Sequence, residues 1–187
     1  MKSAKKILAL ILAGVMALAL LTGCGKAASL DRTMAEGMAE FLKLEFAQYG
    51  NKNNISVSYQ VPELSRNIAP LFDENWVKQS EDGDPVLNDE HTINGETIQK
   101  TLEDILSPYE SASYVDFIVA DVTDVKTPLA ETLKLATSQI RLSIYGEDFD
   151  QNSPTSNFVS ITSLKVAVTH KTVNGHTYAL CVAIAEK

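Results

Sequence analysis

Residues 158–187 read FVSITSLKVAVTHKTVNGHTYALCVAIAEK, and the fold is decided there. Asn174-Gly175 is the dipeptide favoured in two-residue hairpins, because both central positions need a positive φ. Closing the turn with Val173 opposite His176 sets Val168 against Cys181, Val166 against Ala183 and Leu164 against Ala185. Large side chains then meet small ones. In the last strand Tyr178, Leu180, Val182 and Ile184 line one face, while Ala179, Cys181, Ala183 and Ala185 line the other. Neither face is polar, and a strand apolar on both faces lies inside a sheet covered on both sides. The expected fold class is α/β: an α-β-α sandwich with a mostly antiparallel sheet flanked by helices. The strand-like run from Phe158 to Thr172 is expected to break near Thr162.

The cover comes from upstream. Met34, Met38, Phe41, Leu42 and Phe46 recur at helical spacing, so residues 30–49 read as a helix that stops at Gly50. A short extended piece follows over residues 55–60. Pro62 opens a second helix with Leu64, Ile68, Leu71, Phe72 and Trp76 on one side, and Pro70 is expected to kink or divide it. Residues 79–94 read as a polar, acidic loop, and residues 97–106 as a third helix ended by Pro108. Tyr114 to Val122 reads as a strand. Thr127-Pro128 places an N-cap residue before a proline at the first helical position, the start of a fourth helix. Its stripe is Leu129, Leu133, Ala136 and Ile140, and Gly146 ends it.

The N-terminus carries an address. Lys2, Lys5 and Lys6 precede an uncharged apolar run of fifteen residues, Ile7 to Leu21. That is short for a spanning helix and right for a signal-peptide core. The run ends in Leu21-Thr22-Gly23-Cys24, which resembles the bacterial lipoprotein signal: aliphatic, small, small, Cys. The resemblance implies cleavage before Cys24 and lipidation of its thiol, palmitate included, and two acyl chains give stable anchoring where one does not. The expected organisation is a signal peptide over residues 1–23, a lipidated Cys and short linker over 24–29, and one globular domain over 30–187. The expected location is the extracytoplasmic face of a bacterial cell membrane.

Composition narrows the function. The 187 residues hold 16 Lys and Arg against 24 Asp and Glu, a net charge of −8. Without the three lysines of the signal, 13 bases face 24 acids, or −11. Such a surface repels phosphates, so nucleic acid is not an expected partner. With Cys24 consumed by lipid, Cys181 has no disulfide partner, and it reads as a small buried hydrophobe rather than a nucleophile. No Gly-rich phosphate loop, nucleophile elbow or Cys/His zinc spacing is present. Asp148-Phe149-Asp150-Gln151-Asn152 spaces oxygen ligands as a calcium loop does, but Ser153 and Val159 replace the Gly and Glu such a loop needs. It and Glu81-Asp82-Gly83-Asp84 read as solvated turns. His170 and His176 flank the Asn-Gly turn, as solvated tips or as a two-His site.

Three stretches carry a resemblance to the CAP superfamily, the SCP-like extracellular domain: Val61–Ala69, His91-Thr92-Ile93-Asn94-Gly95, and Leu135-Ala136-Thr137-Ser138-Gln139-Ile140-Arg141. The last resembles the family's Trp-x-x-Ser-x-x-His helix. The resemblance implies a cleft holding His91, Asp121, Ser138 and Arg141. Arg141 stands where the family has its second metal-binding His, and a guanidinium has no lone pair for a metal. The implied function is therefore a non-catalytic domain, without metal or cofactor, that binds a peptide, glycan or lipid. The alternatives are a metal-assisted hydrolase using His91 with Asp121, and an envelope protein-protein interaction module.

Overall fold

The computed structural model describes residues 30–81, 85–146 and 157–187. The signal segment, Cys24, Asp82-Gly83-Asp84 and the Asp148–Asn152 loop lie outside them. In chain order the main elements are α1 (Leu30–Gln48), β1 (Ser56–Ser58), β2 (Val77–Gln79), β3 (Pro85–Leu87), β4 (Thr92–Ile93) and β5 (Glu96–Thr97). They continue with α2 (Ile98–Ile105), β6 (Tyr114–Asp121), α3 (Pro128–Ala136), β7 (Ile140–Gly146), β8 (Ser163–Val173) and β9 (His176–Glu186). Short helical turns at Leu64–Ile68 and Ala69–Leu71 fall between β1 and β2.

The β8–β9 hairpin closes as its sequence requires. Asn174 and Gly175 have φ of 49° and 84°, Val173 pairs with His176, and Val168, Val166 and Leu164 face Cys181, Ala183 and Ala185. A 3-10 turn, Asn157–Ser160, supplies the break before β8. The sheet runs β1-β8-β9-β6-β7. β1 joins β8 in parallel, and the other three pairings are antiparallel. β9 is thus central, and its residues from Tyr178 to Ala185 are all buried.

Helical segments cover both faces. On the first, Met34, Met38, Leu42 and Phe46 of α1 pack with Leu135 of α3 over Leu164, Val166, Ala179, Cys181 and Ala183. Asn51, just past α1, donates from Nδ2 to the carbonyls of Phe158 and Ile161 at 2.6 and 3.0 Å, tying the end of the helix to the turn that leads into β8. On the second face Leu64, Ile68, Phe72, Trp76 and, from α2, Ile98 and Leu102 pack over Val115, Phe117, Val119, Leu180, Val182 and Ile184. Thr97 caps α2 by accepting from Lys100 N, and Thr127 caps α3 by accepting from Ala130 N.

Three expectations are corrected. The second helix does not continue to Trp76. A π turn precedes Pro70, which lacks an amide hydrogen for the α ladder, and the chain is extended at Phe72. The same apolar residues are still buried, from a broken segment. The acidic loop of residues 79–94 contains parts of two small hairpins, β2–β3 and β4–β5. The second turns on Asn94-Gly95, with φ of 54° and 89°. The fourth helix ends at Ala136 rather than near Gly146, because residues 140–145 alternate apolar and polar and pair with β6 as β7. Its buried face is Glu131, Thr132 and Leu135, not Leu129 and Leu133. Among the described residues, no helix is long and apolar enough to cross a membrane.

Candidate functional site

β1 covers β8 only from Ser163 to Lys165. Beyond Ser58 the chain turns away through residues 59–62 into the Leu64–Ile68 turn, and a groove of about 440 Å³ opens between that segment and β8. Ala167, Val168 and Thr169 form its floor. Asp31 and Tyr59 border it on the α1 side, and Val61, Leu64 and Arg66 on the α2 side. The Arg32 guanidinium lies 3.7 Å from the centre of the Tyr59 ring and bonds Glu36 at 2.7 Å, which holds that wall.

Asp31 links the groove to a charged cluster. His170 of β8 meets Asp31 of α1 through Nδ1 at 2.5 Å and Glu131 of α3 through Nε2 at 3.3 Å. Glu131 is 8% exposed, and a carboxylate so buried requires a charge partner. The bond to Asp31 leads the causes that raise the His170 pKa above its ordinary value, against burial, with Glu131 adding to the rise. His170 thus sits between carboxylates of two helices, hydrogen-bonded to Asp31 and close to Glu131, and when protonated it ties both helices to one strand. Residue types at these three positions give no local signal for this. Asp31 and His170 are 139 residues apart, and Glu131 sits at a helix position whose neighbours Leu129 and Leu133 suggest the opposite face.

The four residues expected to share a cleft are distributed otherwise. Arg141 lies on β7 opposite Ile118, on the α1 face. Its Nε donates to Asp116, its Nη2 donates to Tyr114 OH, and Glu45 is 4.0 Å away. Asp116 is 1% exposed and also accepts from Tyr114 OH at 2.7 Å and Ser143 Oγ at 2.9 Å. Burial works against the Arg141 charge, but Tyr114, Asp116 and Glu45 hold its pKa above the ordinary value. Burial raises Glu45 to about 7, with Arg141 opposing and Asp116 adding.

Asp121 ends β6 with Tyr178 as its sheet partner, on the face opposite Arg141. It meets His176 Nδ1 at 3.1 Å and accepts from Thr123 N at 2.9 Å. Burial pulls its pKa up, but the bonds from Thr123 and His176 bring it below the ordinary value. Ser138 donates to the carbonyl of Val119 and accepts from Ile140 N at 3.1 Å, shaping the turn into β7. His91 stands before β4 with Nε2 3.8 Å from Asp73. Arg141 and Asp121 are thus divided by the sheet, and His91 is bound to neither. His170 and His176 also point to opposite faces of the hairpin.

Among the described residues, no group of three or more His, Cys, Asp and Glu side chains is arranged to hold a metal ion. Cys181 is fully buried, and burial pushes its thiol up to about 12, which suits packing and not nucleophilic attack. No protein-family model, curated protein or solved structure matches the chain.

Proposed function

We propose that the chain is a lipid-anchored extracytoplasmic binding module, tethered to a bacterial membrane through Cys24 and binding a peptide, glycan or lipid in the groove beside Asp31. The observation that carries the reading is the Leu21-Thr22-Gly23-Cys24 sequence behind an uncharged apolar run, with the described domain beginning at Leu30, six residues after Cys24. Seven residues reach at most about 25 Å, so the groove at Asp31 stays near the acyl chains. A ligand bound there is held close to the membrane surface. The likeness to the CAP superfamily is kept as a proposal carried by Val61–Ala69, since residues 135–141 leave the helix at Ala136 and Arg141 belongs to a strand.

Cys24→Ala is the direct test. The wild-type chain is expected in the membrane fraction after a high-salt wash and to incorporate labelled palmitate; the variant is expected in the soluble fraction without label. A variant that still sediments with membranes refutes the anchor.

A further inference from the structure

The free edge of β8 specifies what kind of ligand the groove takes. In a two-residue hairpin the residues flanking the turn bond each other, so Val173, Lys171, Thr169 and Ala167 direct their backbone groups at β9. Val168, His170 and Thr172 then direct theirs outward. β1 reaches only as far as Lys165, and among the described residues no backbone partner from elsewhere in the chain meets these three residues. The unpaired run from Val168 to Thr172 is about 17 Å long at the usual rise per residue. It lies at the sheet margin between walls belonging to both helical layers, Tyr59 on one side and Val61 and Leu64 on the other. A single extended chain enters such a slot. The edge strand of a second copy, already flanked by its own helices, does not.

Charge sets the preference along that chain. Arg66 borders the groove on the α2 side, and Lys171 lies two residues beyond Thr169 on the same side of β8. Among the described residues neither cation has an ion-pair partner, in a chain of net charge −8. The α1 side of the same slot presents Asp31, already bound to His170. We propose that the groove captures an extended peptide as a sixth strand on β8, with acidic side chains at alternate positions directed at Arg66 and Lys171. The peptide's own amides and carbonyls pair with those of Val168, His170 and Thr172, and its other side chains, small and uncharged, face Asp31 and Val168. This deepens the proposed function and rests on the groove being the binding site.

The test uses the full-length chain in detergent micelles and fluorescein-labelled Asp-Thr-Asp-Val-Asp-Thr, followed by anisotropy. Three control peptides are used: one carries Lys in place of Asp, and two carry N-methyl groups on alternate amides, one in each phase. The expected result is saturable binding of the Asp peptide, at least tenfold weaker binding of the Lys peptide, and at least tenfold loss for one N-methylation phase. Amide exchange at Val168 and His170 is expected to slow on binding. The double variant Arg66→Glu, Lys171→Glu is expected to reverse the preference to the Lys peptide; the N-methyl comparison needs no variant and stands if that protein misfolds. N-methylation without effect while Arg66→Glu still weakens binding leaves the groove in place and overturns strand addition. No binding at millimolar peptide, or binding indifferent to Arg66→Glu with Val168 and His170 exchanging freely, overturns the groove as the site and the proposal with it. None of these readings depends on the Cys24 anchor, whose failure appears only in fractionation.

Discussion

The two faces of the sheet are built on different terms. Under α1, β9 offers Ala179, Cys181, Ala183 and Ala185, and these small side chains let a straight helix of 19 residues lie close. That face also buries charge: Asp116 with Arg141, and Glu131 with His170. Under α2, β9 offers Tyr178, Leu180, Val182 and Ile184, and the cover is a broken segment carrying Phe72 and Trp76. Those rings pack on Tyr178 and Phe117 with centroids 5.1 and 5.9 Å apart. Large side chains on a strand fill space that irregular turns leave open, whereas small ones demand a regular partner. The charged pairs on the α1 face add direction, since an ion pair has one good geometry and an apolar contact has many.

The largest expected effect comes from breaking the α1-face network. Arg141→Ala strands Asp116 without its charge partner and is expected to cost about 3–5 kcal/mol in urea unfolding. The double change Arg141→Met, Asp116→Leu is expected to recover most of that loss. If the double variant is no better than the single one, the cost lies in packing and the contrast between the faces disappears.

Next is pH. Glu45 titrates near 7 in the fold and near 4.5 unfolded, so the stability it contributes is complete below about pH 4.5 and is lost as pH rises through 7. His170, raised above 6.5, acts in the same direction: its contribution is present below 6.5 and lost as pH rises through its folded value. Asp121 and Glu186 are lowered and act oppositely, losing their contributions only as pH falls below their ordinary carboxylate range. Stability is therefore expected to fall from pH 5 to pH 8, by on the order of 2–3 kcal/mol from Glu45. Glu45→Gln should flatten most of that slope, and His170→Gln the remainder. An unchanged slope in Glu45→Gln would remove Glu45 from the account.

A smaller effect is expected from Ala183→Leu, about 1–3 kcal/mol, because α1 has no room to retreat from the small face. The smallest is Gly37→Ala. A Cβ there falls 2.7 Å from Thr132 Cγ2, where α1 meets α3, but alanine's better helix propensity offsets about 1 kcal/mol of the clash. A net loss of about 1 kcal/mol in thermal unfolding is expected; a gain would show that the helices separate freely.

How much of this was legible varied with the range of the interaction. Asn174-Gly175 reported the hairpin and its register, since turn chemistry and alternation are local. Asn94-Gly95 carries the same information, but its flanking strands are only two residues each, too short for periodicity to register. The alternation Ile140-Arg141-Leu142-Ser143-Ile144 was equally readable as a strand, yet Ile140 also continued the helical spacing from Leu129, and only pairing with β6 separates the two periods. The site was less legible still. Arg141 was singled out only through the resemblance carried by residues 135–141, and its partners Asp116, Tyr114 and Glu45 are 25 to 96 positions away along the chain. Asp31, His170 and the vacated edge of β8 leave no local trace.

What sequence alone determined are the features settled within a few residues: the helix cap at Thr127, the Asn-Gly turn, and a final strand apolar on both faces and hence destined for the middle of a sheet. Only the tertiary structure decided which carboxylate meets which cation, on which face, and where β8 is left without a neighbour. Local rules act through backbone torsions and side-chain spacing, which neighbouring residues carry. Charge pairing and open edges depend on how distant segments are brought together, and that is fixed only once the layers have packed.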